Sequence, residues 1–326
     1  MTFIDAEYQA KMDTKISSKV LYEMLRIKRP HLGMGVDLFI SKFLSDIKGA
    51  QSRTTDLFGN IIVGVGCDVS LTHFDSLPKV MFSAHIDTVH REDGAQNICI
   101  EAGSIEFISL ADKNSHCLGA DDGAGVWVML NMIANGVEGV YIFHQGEEKG
   151  CLGSSYLAEY HPDFIEHFEQ CISIDRKGTD SIITHQMSGR CCSDAYALEL
   201  ADMLMMGHAP DDTGVVTDSD SYSHLIQECT NISAGYYSEH TVKEHVNVTY
   251  LKYLVAAMSA VDWTNLVIVR EAGDDAYPNW QSDKYAFKDE YNDWTCEYTG
   301  RGLAFYTDLV YNDPKTAVEL LVELTR

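Results

Sequence analysis

The sequence predicts an α/β protein of three layers, with a mostly parallel or mixed central sheet flanked by helices. Two patterns predict it. Short β-prone runs recur, each followed closely by a carboxylate or a histidine: 79–84 before His85, 140–143 before Glu147 and Glu148, 171–174 before Asp175, and 231–237 before His240. In addition, His85, Asp121, Glu148 and Asp175 are separated by 36, 27 and 27 residues, intervals that suit one strand–helix–strand unit each. In an open α/β sheet the carboxyl ends of such strands share one rim, and ligands bind there.

The elements follow in chain order. An apolar stretch at 21–27, an amphipathic one at 39–47 and a β-prone one at 56–63 precede the first strand of the series. Gly119-Ala120-Asp121-Asp122-Gly123-Ala124-Gly125 leads into an apolar helix at 126–134, and 193–206 reads as another helix. Residues 1–265 are expected to form one main domain, and 266–326 an aromatic and acidic extension. Its rings, among them Trp280, Tyr285, Trp294 and Phe305, suit packing on the core or in an assembly. It ends in a predicted helix with Asp313 as N-cap, Pro314 at N1, and Leu320, Leu321 and Leu324 on one face.

Composition narrows the function. The 326 residues are 45% apolar, enough for a sizeable core without a long linker or low-complexity tract. A formal charge of −25 argues against nucleic acid or an anionic membrane as partner. No apolar run reaches the roughly 18–20 residues of a membrane span, and no secretory leader pattern opens the chain. Nine cysteines without zinc-ribbon spacing read as reduced thiols, so a cytoplasmic location is expected.

Two histidines and three carboxylates are the set that a pair of adjacent divalent ions needs, one carboxylate bridging and two ligands left for each ion. That suggests a two-metal hydrolase. Singly, the residues have ordinary readings: Asp121-Asp122 as a helix N-cap, Glu147-Glu148 as carboxylates at a helix N-terminus, Asp175 as a turn residue, and His245 as a rival to His240. Other chemistries lack their signatures. There is no Gly-x-Ser-x-Gly elbow and no His-Glu-x-x-His pair. The paired aspartates after Gly119 would repel a pyrophosphate, and Asp211, Asp212, Asp218 and Asp220 lack EF-hand spacing. Residues 217–222 read as a loop at the rim of the site.

Five segments in register carry a family resemblance: Ser83-Ala84-His85-Ile86-Asp87-Thr88, Leu118-Gly119-Ala120-Asp121-Asp122, Gly146-Glu147-Glu148-Lys149-Gly150, Ile174-Asp175 and Glu239-His240-Thr241-Val242-Lys243-Glu244. Over roughly residues 15–260 the chain resembles the co-catalytic zinc peptidases, which include peptidase T, the bacterial leucyl aminopeptidases and the zinc carboxypeptidases. The resemblance implies a zinc-dependent exopeptidase fold of the phosphorylase/hydrolase-like type, holding two Zn²⁺, with Co²⁺ or Mn²⁺ not separated by ligand type. By matching position, His85, Asp121 and Asp175 would hold one ion, and Asp121, Glu148 and His240 the other. Asp121 would bridge; a register one residue later would put the bridge on Asp122. Asp87 would accept the free ring N–H of His85, and Glu147 would be the general base. Two cations would bring a shared water from a pKa of about 15.7 towards about 7, giving a bridging hydroxide as nucleophile. Tyr222, Tyr236 and Tyr237 are candidates for an oxyanion or substrate contact.

The implied activity is that of an exopeptidase on small peptides, an aminopeptidase in the first place. The alternatives are a dipeptidase, carboxypeptidase or N-acyl amino acid deacylase, and, in another class, an inactive metal-binding scaffold. The chain departs from peptidase T in three ways, one of them the aromatic and acidic tail from about Val267. The interval from Asp175 to His240 is 65 residues, too short for the second domain inserted there, so neither a lid nor a lid-mediated dimer is expected. Gly123 also stands where peptidase T-like sequences tend to have lysine.

Overall fold

The computed structural model describes residues 14–111 and 114–273. Its centre is an eight-stranded mixed sheet. In chain order the strands are β1 (Ser52–Thr55), β2 (Ile61–Val65), β3 (Val80–His85), β4 (Gly139–His144), β5 (Gln170–Arg176), β6 (Ser181–Ile183), β7 (Ala209–Asp211) and β8 (Glu228–Ser233). They lie side by side as β7-β6-β8-β5-β3-β4-β2-β1. The central four, β4, β3, β5 and β8, are mutually parallel, whereas β2 joins β4 and β6 joins β8 antiparallel.

Every residue of β3, β4 and β8 is buried. Continuous burial, in place of alternation, requires cover on both faces of the sheet, and it explains why β3 and β4 read as largely apolar runs; β8, Glu-Cys-Thr-Asn-Ile-Ser, is equally buried although mostly polar. The helices are α1 (Ser18–Met24), α2 (Met34–Phe39), α3 (Ala120–Asn135), α4 (Leu152–Tyr160), α5 (Pro162–Glu166), α6 (Asp194–Leu204) and α7 (Val248–Met258). Nearly every side chain of α3 is buried; it packs against β3, β5, α1 and α7. The chain crosses from β3 to β4 through this helix, which therefore starts at the carboxyl rim of the sheet.

The structure corrects two expectations. Among the described residues, the 36-residue interval between His85 and Asp121 holds no helix before α3 starts at Ala120; it holds the short strands Gly94–Ala95, Ile98–Glu101 and Phe107–Leu110. The last two belong to a second, antiparallel sheet with Tyr236–Tyr237 and His245–Asn247. The run expected as one strand over 231–237 is broken: β8 stops at Ser233, and Gly235, at φ 71°, turns the chain into the second sheet. The amphipathic 39–47 is a π-helical turn, Ile40–Leu44, following α2.

Of the extension expected over 266–326, the first residues are described and pack on the core. Leu266 and Arg270 are buried, the N–H groups of Val269 and Arg270 donate to Glu228 Oε1 at 3.0 and 3.1 Å, and the Arg270 guanidinium donates to the carbonyls of Ser223, Ile226 and Gln227. The aromatic stretch that follows and the helix expected from Asp313 lie outside the described residues.

Candidate metal centre

Four parallel strands end at one rim, and the sequence's polar positions converge there. His85 closes β3. Its Nδ1 lies 3.0 Å from the main-chain oxygen of Asp87, so the Nδ1–H donates to that carbonyl and Nε2 faces the rim cavity. There Nε2 is 2.9 Å from Asp121 Oδ1, 3.6 Å from Asp175 Oδ1 and 3.8 Å from Glu147 Oε2. On the other side, His240 Nε2 lies 3.2 Å from Asp121 Oδ2 and 3.1 Å from Glu148 Oε2. One carboxylate thus presents one oxygen to each histidine.

Each position is fixed by its local backbone. Glu147-Glu148-Lys149 is a single 3₁₀ turn between two left-handed glycines, Gly146 and Gly150. At Gly146 a Cβ would lie 2.9 Å from the His31 ring and 3.1 Å from Leu152, so the turn needs glycine for space as well as for φ. His240 tops the hairpin between Tyr236–Tyr237 and His245–Asn247, itself at φ 62°, a region few non-glycine residues occupy. Asp175 is the most heavily braced ligand candidate. Its N–H donates to Asn231 Oδ1 (2.9 Å), its Oδ1 accepts from the Tyr236 hydroxyl (2.9 Å), and its Oδ2 accepts from Thr217 (2.6 Å).

Asp121 and Asp122, joined by a cis peptide, precede the regular part of α3. Two donor groups stand close enough for an ion, His85 with Asp121 and Glu148, and His85 with Asp122 and Asp175. Asp122 is nevertheless tied to the backbone, its Oδ1 accepting from Gly125 N (2.9 Å) and its Oδ2 from His85 N (3.3 Å). Asp121, reaching both histidines, is the better placed to be shared.

Several side chains stand elsewhere than the sequence suggested. The Asp87 carboxylate is 4.0 Å from His85 Nδ1. It accepts instead from the N–H groups of Gly146 (2.7 Å) and Glu147 (3.2 Å), so it holds the glutamate turn while its own carbonyl orients the ring. Of the three tyrosines, only Tyr236 lines the rim cavity. Tyr222 is buried with its hydroxyl 3.4 Å from His144, and Tyr237 stacks on His245, 5.1 Å between centroids. His245 is thereby turned away from the ligand set. Residues 218–222 are a buried 3₁₀ turn, not a rim loop.

Two supporting residues had no assignment in the sequence. Both oxygens of Glu244, a buried side chain, accept backbone N–H groups of the loop carrying Asp121: Leu118 (2.8 Å), Gly119 (3.2 Å), Ala120 (2.7 Å) and Asp121 (3.1 Å). Arg29, wholly buried, donates to the carbonyls of Ile86 (2.7 Å), Gly119 (2.9 Å), Met24 (3.1 Å) and Ile27 (3.3 Å), with its guanidinium 4.5 Å from the Phe39 ring centre. Their only sequence signals were an acid four residues past His240 and one of three cations, Arg26, Lys28 and Arg29, at the end of an apolar stretch.

The electrostatics are those of a cation site. Burial alone would lower the His85 pKa, but the charge of Asp175 and the hydrogen bond to Asp121 push it well above its ordinary value. Hydrogen bonds to Asp121 and Glu148 push His240 up to about 11. Burial, with Asp175 and Asp218 nearby, pushes Glu147 well above the usual carboxylate range. Positive charge is strongly favoured among these carboxylates, and a set of imidazole nitrogens and carboxylate oxygens suits zinc.

An α/β sheet with two histidines and converging carboxylates at its carboxyl rim defines a metal-dependent hydrolase. The sequence model of Peptidase family M28 matches residues 70–240, just over half of the chain. The chain therefore belongs to peptidase family M28 and is a metallopeptidase. No curated protein matches it. Among solved structures it is similar to the aminopeptidase PepT of Bacillus cereus, at 15% identity and a TM-score of 0.56, over 77% of this chain and 98% of that one. It is also similar to a tripeptidase of Staphylococcus aureus, at 14% identity and a TM-score of 0.56, over 78% of this chain and 97% of that one. The TET1 peptidase of Pyrococcus horikoshii matches at 14% identity and a TM-score of 0.50, over 78% and 98%. At such identities the likeness is one of fold.

Proposed function

We propose that the protein is a dinuclear zinc aminopeptidase that removes the first residue of small peptides. The observation that carries this reading is the Asp121 carboxylate, with one oxygen towards His85 and the other towards His240. His85, Asp121 and Asp175 would hold one ion and Asp121, Glu148 and His240 the other, with cobalt or manganese as possible replacements. When bound, the ions supply Lewis acidity and a nucleophilic water at neutral pH. Glu147 reaches into the same cavity, free of any ligand role in this scheme. It takes the proton of the attacking water and returns it to the leaving amine. Asp87 keeps Glu147 in place through the backbone of its turn.

The charge around the cavity favours a free amine over a free carboxylate. Its cations are engaged: Arg176 with Thr213 (2.8 Å) and Asp211 (3.5 Å), and Lys177 with Glu239 (2.8 Å). Glu147, Glu148 and Glu239 also line it, an acidic setting for a peptide's ammonium group. The aminopeptidase PepT among the similar folds agrees with this direction. The interval between Asp175 and His240 holds β6, β7, β8, α6 and short turns, which supports a catalytic domain over 1–265 without an inserted lid, followed by an extension. The eight described cysteines are free thiols, consistent with a reducing, cytoplasmic setting. No described helix is long and apolar enough to cross a membrane.

The test is to incubate zinc-loaded protein with short peptides carrying free or N-acetylated amino termini and to identify products by mass spectrometry. Loss of single N-terminal residues from the free peptides alone is expected. Cleavage that requires the acetyl group, or that releases C-terminal residues, would replace this reading by a deacylase or a carboxypeptidase.

A further inference from the structure

The Asp87 carboxylate holds the Glu147 turn with one oxygen only. Its Oδ1 accepts from Gly146 N (2.7 Å) and Glu147 N (3.2 Å), whereas Oδ2 is buried without a hydrogen-bond partner among the described residues. His31 Nδ1, likewise buried and without a partner, lies 4.0 Å from that oxygen. His85 Nδ1 is just as far from Asp87 Oδ1, but it already donates to the Asp87 carbonyl at 3.0 Å. A buried acceptor and a buried ring nitrogen thus stand about 1 Å beyond the length of an N–H···O bond, and neither has another use.

Placing this ring strains the backbone. Gly33 N donates to the Pro30 carbonyl at 2.9 Å, closing a turn in which Leu32 takes φ 60°, a region that costs a non-glycine residue about 1–3 kcal/mol. Burial offsets little of this, because Leu32 is 84% exposed. The turn is also fastened to the end of β3: Thr88 donates to the Arg29 carbonyl through its N–H (2.8 Å) and its hydroxyl (3.0 Å), and Pro30 forms a parallel bridge with Thr88. Residues 29–31 therefore run beside 86–88, which brings His31 to Asp87. On its other side the ring meets Gly146, where a Cβ would lie 2.9 Å from His31 Cε1. The imidazole touches both ends of the link between Asp87 and the glutamate turn.

The geometry points to His31 as a positioning residue for the general base: its Nδ1–H serves Asp87 Oδ2 and so fixes the carboxylate that holds the Glu147 turn. This rests on the reading of Glu147 as the base of the proposed reaction. With Oδ2 engaged, Oδ1 stays aimed at both N–H groups of the turn. With Oδ2 free, the carboxylate can rotate, and the contact to Glu147 N, the longer of the two at 3.2 Å, is the first to loosen. Proton transfer depends on the reach of Glu147 into the cavity, so the loss falls on the chemical step.

The experiment compares His31→Leu, which fills the ring's place without a donor, with His31→Asn, whose amide N–H stands near the position of Nδ1. Zinc-loaded wild type and variants are assayed for kcat and KM on Leu-Gly-Gly, for zinc content, and for hydrogen–deuterium exchange at the amides of Gly146 and Glu147. H31L is expected to lower kcat about 10- to 100-fold, the usual cost of removing an orienting partner, with KM and zinc content near wild type and faster exchange at both amides. H31N should restore most of each. His31→Ala with added imidazole repeats the comparison without a leucine in the ring's place, and imidazole should raise its kcat. In the Glu147→Gln background H31L should lower kcat no further, because it acts through that residue. Wild-type kcat and exchange in H31L overturn the assignment. Equal losses in H31L and H31N overturn it in favour of packing, and zinc lost in step with kcat overturns it in favour of ion binding. A wild type that cleaves no peptide removes the aminopeptidase reading, and the exchange rates then decide the contact between His31 and Asp87 on their own.

Discussion

Replacing Glu244 by glutamine should loosen both ions at once. The carboxylate accepts four backbone N–H groups between 2.7 and 3.2 Å, from four consecutive residues ending at Asp121. Glutamine offers one carbonyl oxygen for two of them and turns an NH₂ donor towards the others. Hydrogen bonds to a charged group contribute about 1.5–3 kcal/mol each, so losing two costs about 3–6 kcal/mol, a large share of the ~5–15 kcal/mol that holds a typical protein folded. Because Asp121 is the shared carboxylate in the proposed arrangement, the damage should reach both sites. Metal affinity should fall together for the two ions by about 10- to 100-fold, as for other residues that orient ligands, and the melting temperature should drop. Chelator competition and calorimetry measure these quantities. Glu239→Gln is the comparison, since it removes only a partly exposed pair with Lys177, worth at most about 1 kcal/mol. Equal metal affinity and equal melting for Glu244→Gln and wild type would refute the argument that this carboxylate positions the loop.

The other predictions concern the site and its supports. Asp121→Ala should lose both ions in metal analysis, whereas Asp122→Asn should retain them with lower stability; the reverse result would move the shared ligand by one residue. Glu147→Gln should keep the ions bound yet lose at least about 100-fold in kcat, the lower bound of general-base assistance, and turnover near wild type would remove it as the base. Arg29→Met strands the carbonyls of Ile86 and Gly119 in the core and should cost about 3–5 kcal/mol in denaturant unfolding; an unchanged midpoint would deny the guanidinium its structural role. Burial lowers the His208 pKa to about 4 from its ordinary 6.5. The unfolded chain then takes the proton first, and stability on the order of 3 kcal/mol, complete above pH 6.5, is lost as pH falls towards 4. His208→Asn should melt with a shallower dependence on pH over that window, and an unaltered slope would refute it.

The strands were legible in the sequence because the sheet is covered on both faces, which left 79–84, 140–143 and 171–174 as largely apolar runs ending close to chemistry-bearing residues. The convergence of His85, Asp121, Glu148, Asp175 and His240 followed from their order and motifs. What escaped was contact between segments far apart in the chain. Glu244 and Leu118 are 126 residues apart, Arg29 and Gly119 are 90 apart, and neither pair has a period or motif that would link them. The role first given to Asp87 failed for a local reason: the same residue offers a carbonyl nearer to the His85 ring, and the open N–H groups of the Gly146 turn compete for its carboxylate. Gly235 ended a strand that hydropathy alone extended, because a positive φ is a conformational requirement and leaves no mark on an apolar pattern.

These supports share a logic. The ligand candidates come from two strand ends, a helix entry, a 3₁₀ turn and a hairpin tip, five elements with no common backbone. Their spacing has to be set by cross-braces, and each brace joins two of them or joins one to the sheet. Glu244 lies on the hairpin of His240 and grips the loop of Asp121. Asp87 follows His85 and grips the turn of Glu147. Thr217 and Asn231 grip Asp175, and Arg29 fastens the β3 end at Ile86 to Gly119. Most of these braces end on a backbone N–H or carbonyl, or, as Thr217 does, on the Asp175 oxygen farther from His85, while the Tyr236 hydroxyl bonds the Oδ1 that faces His85. A carboxylate cluster of this density repels itself, and positive ions placed within it offset that repulsion. The braces then decide where those ions can sit.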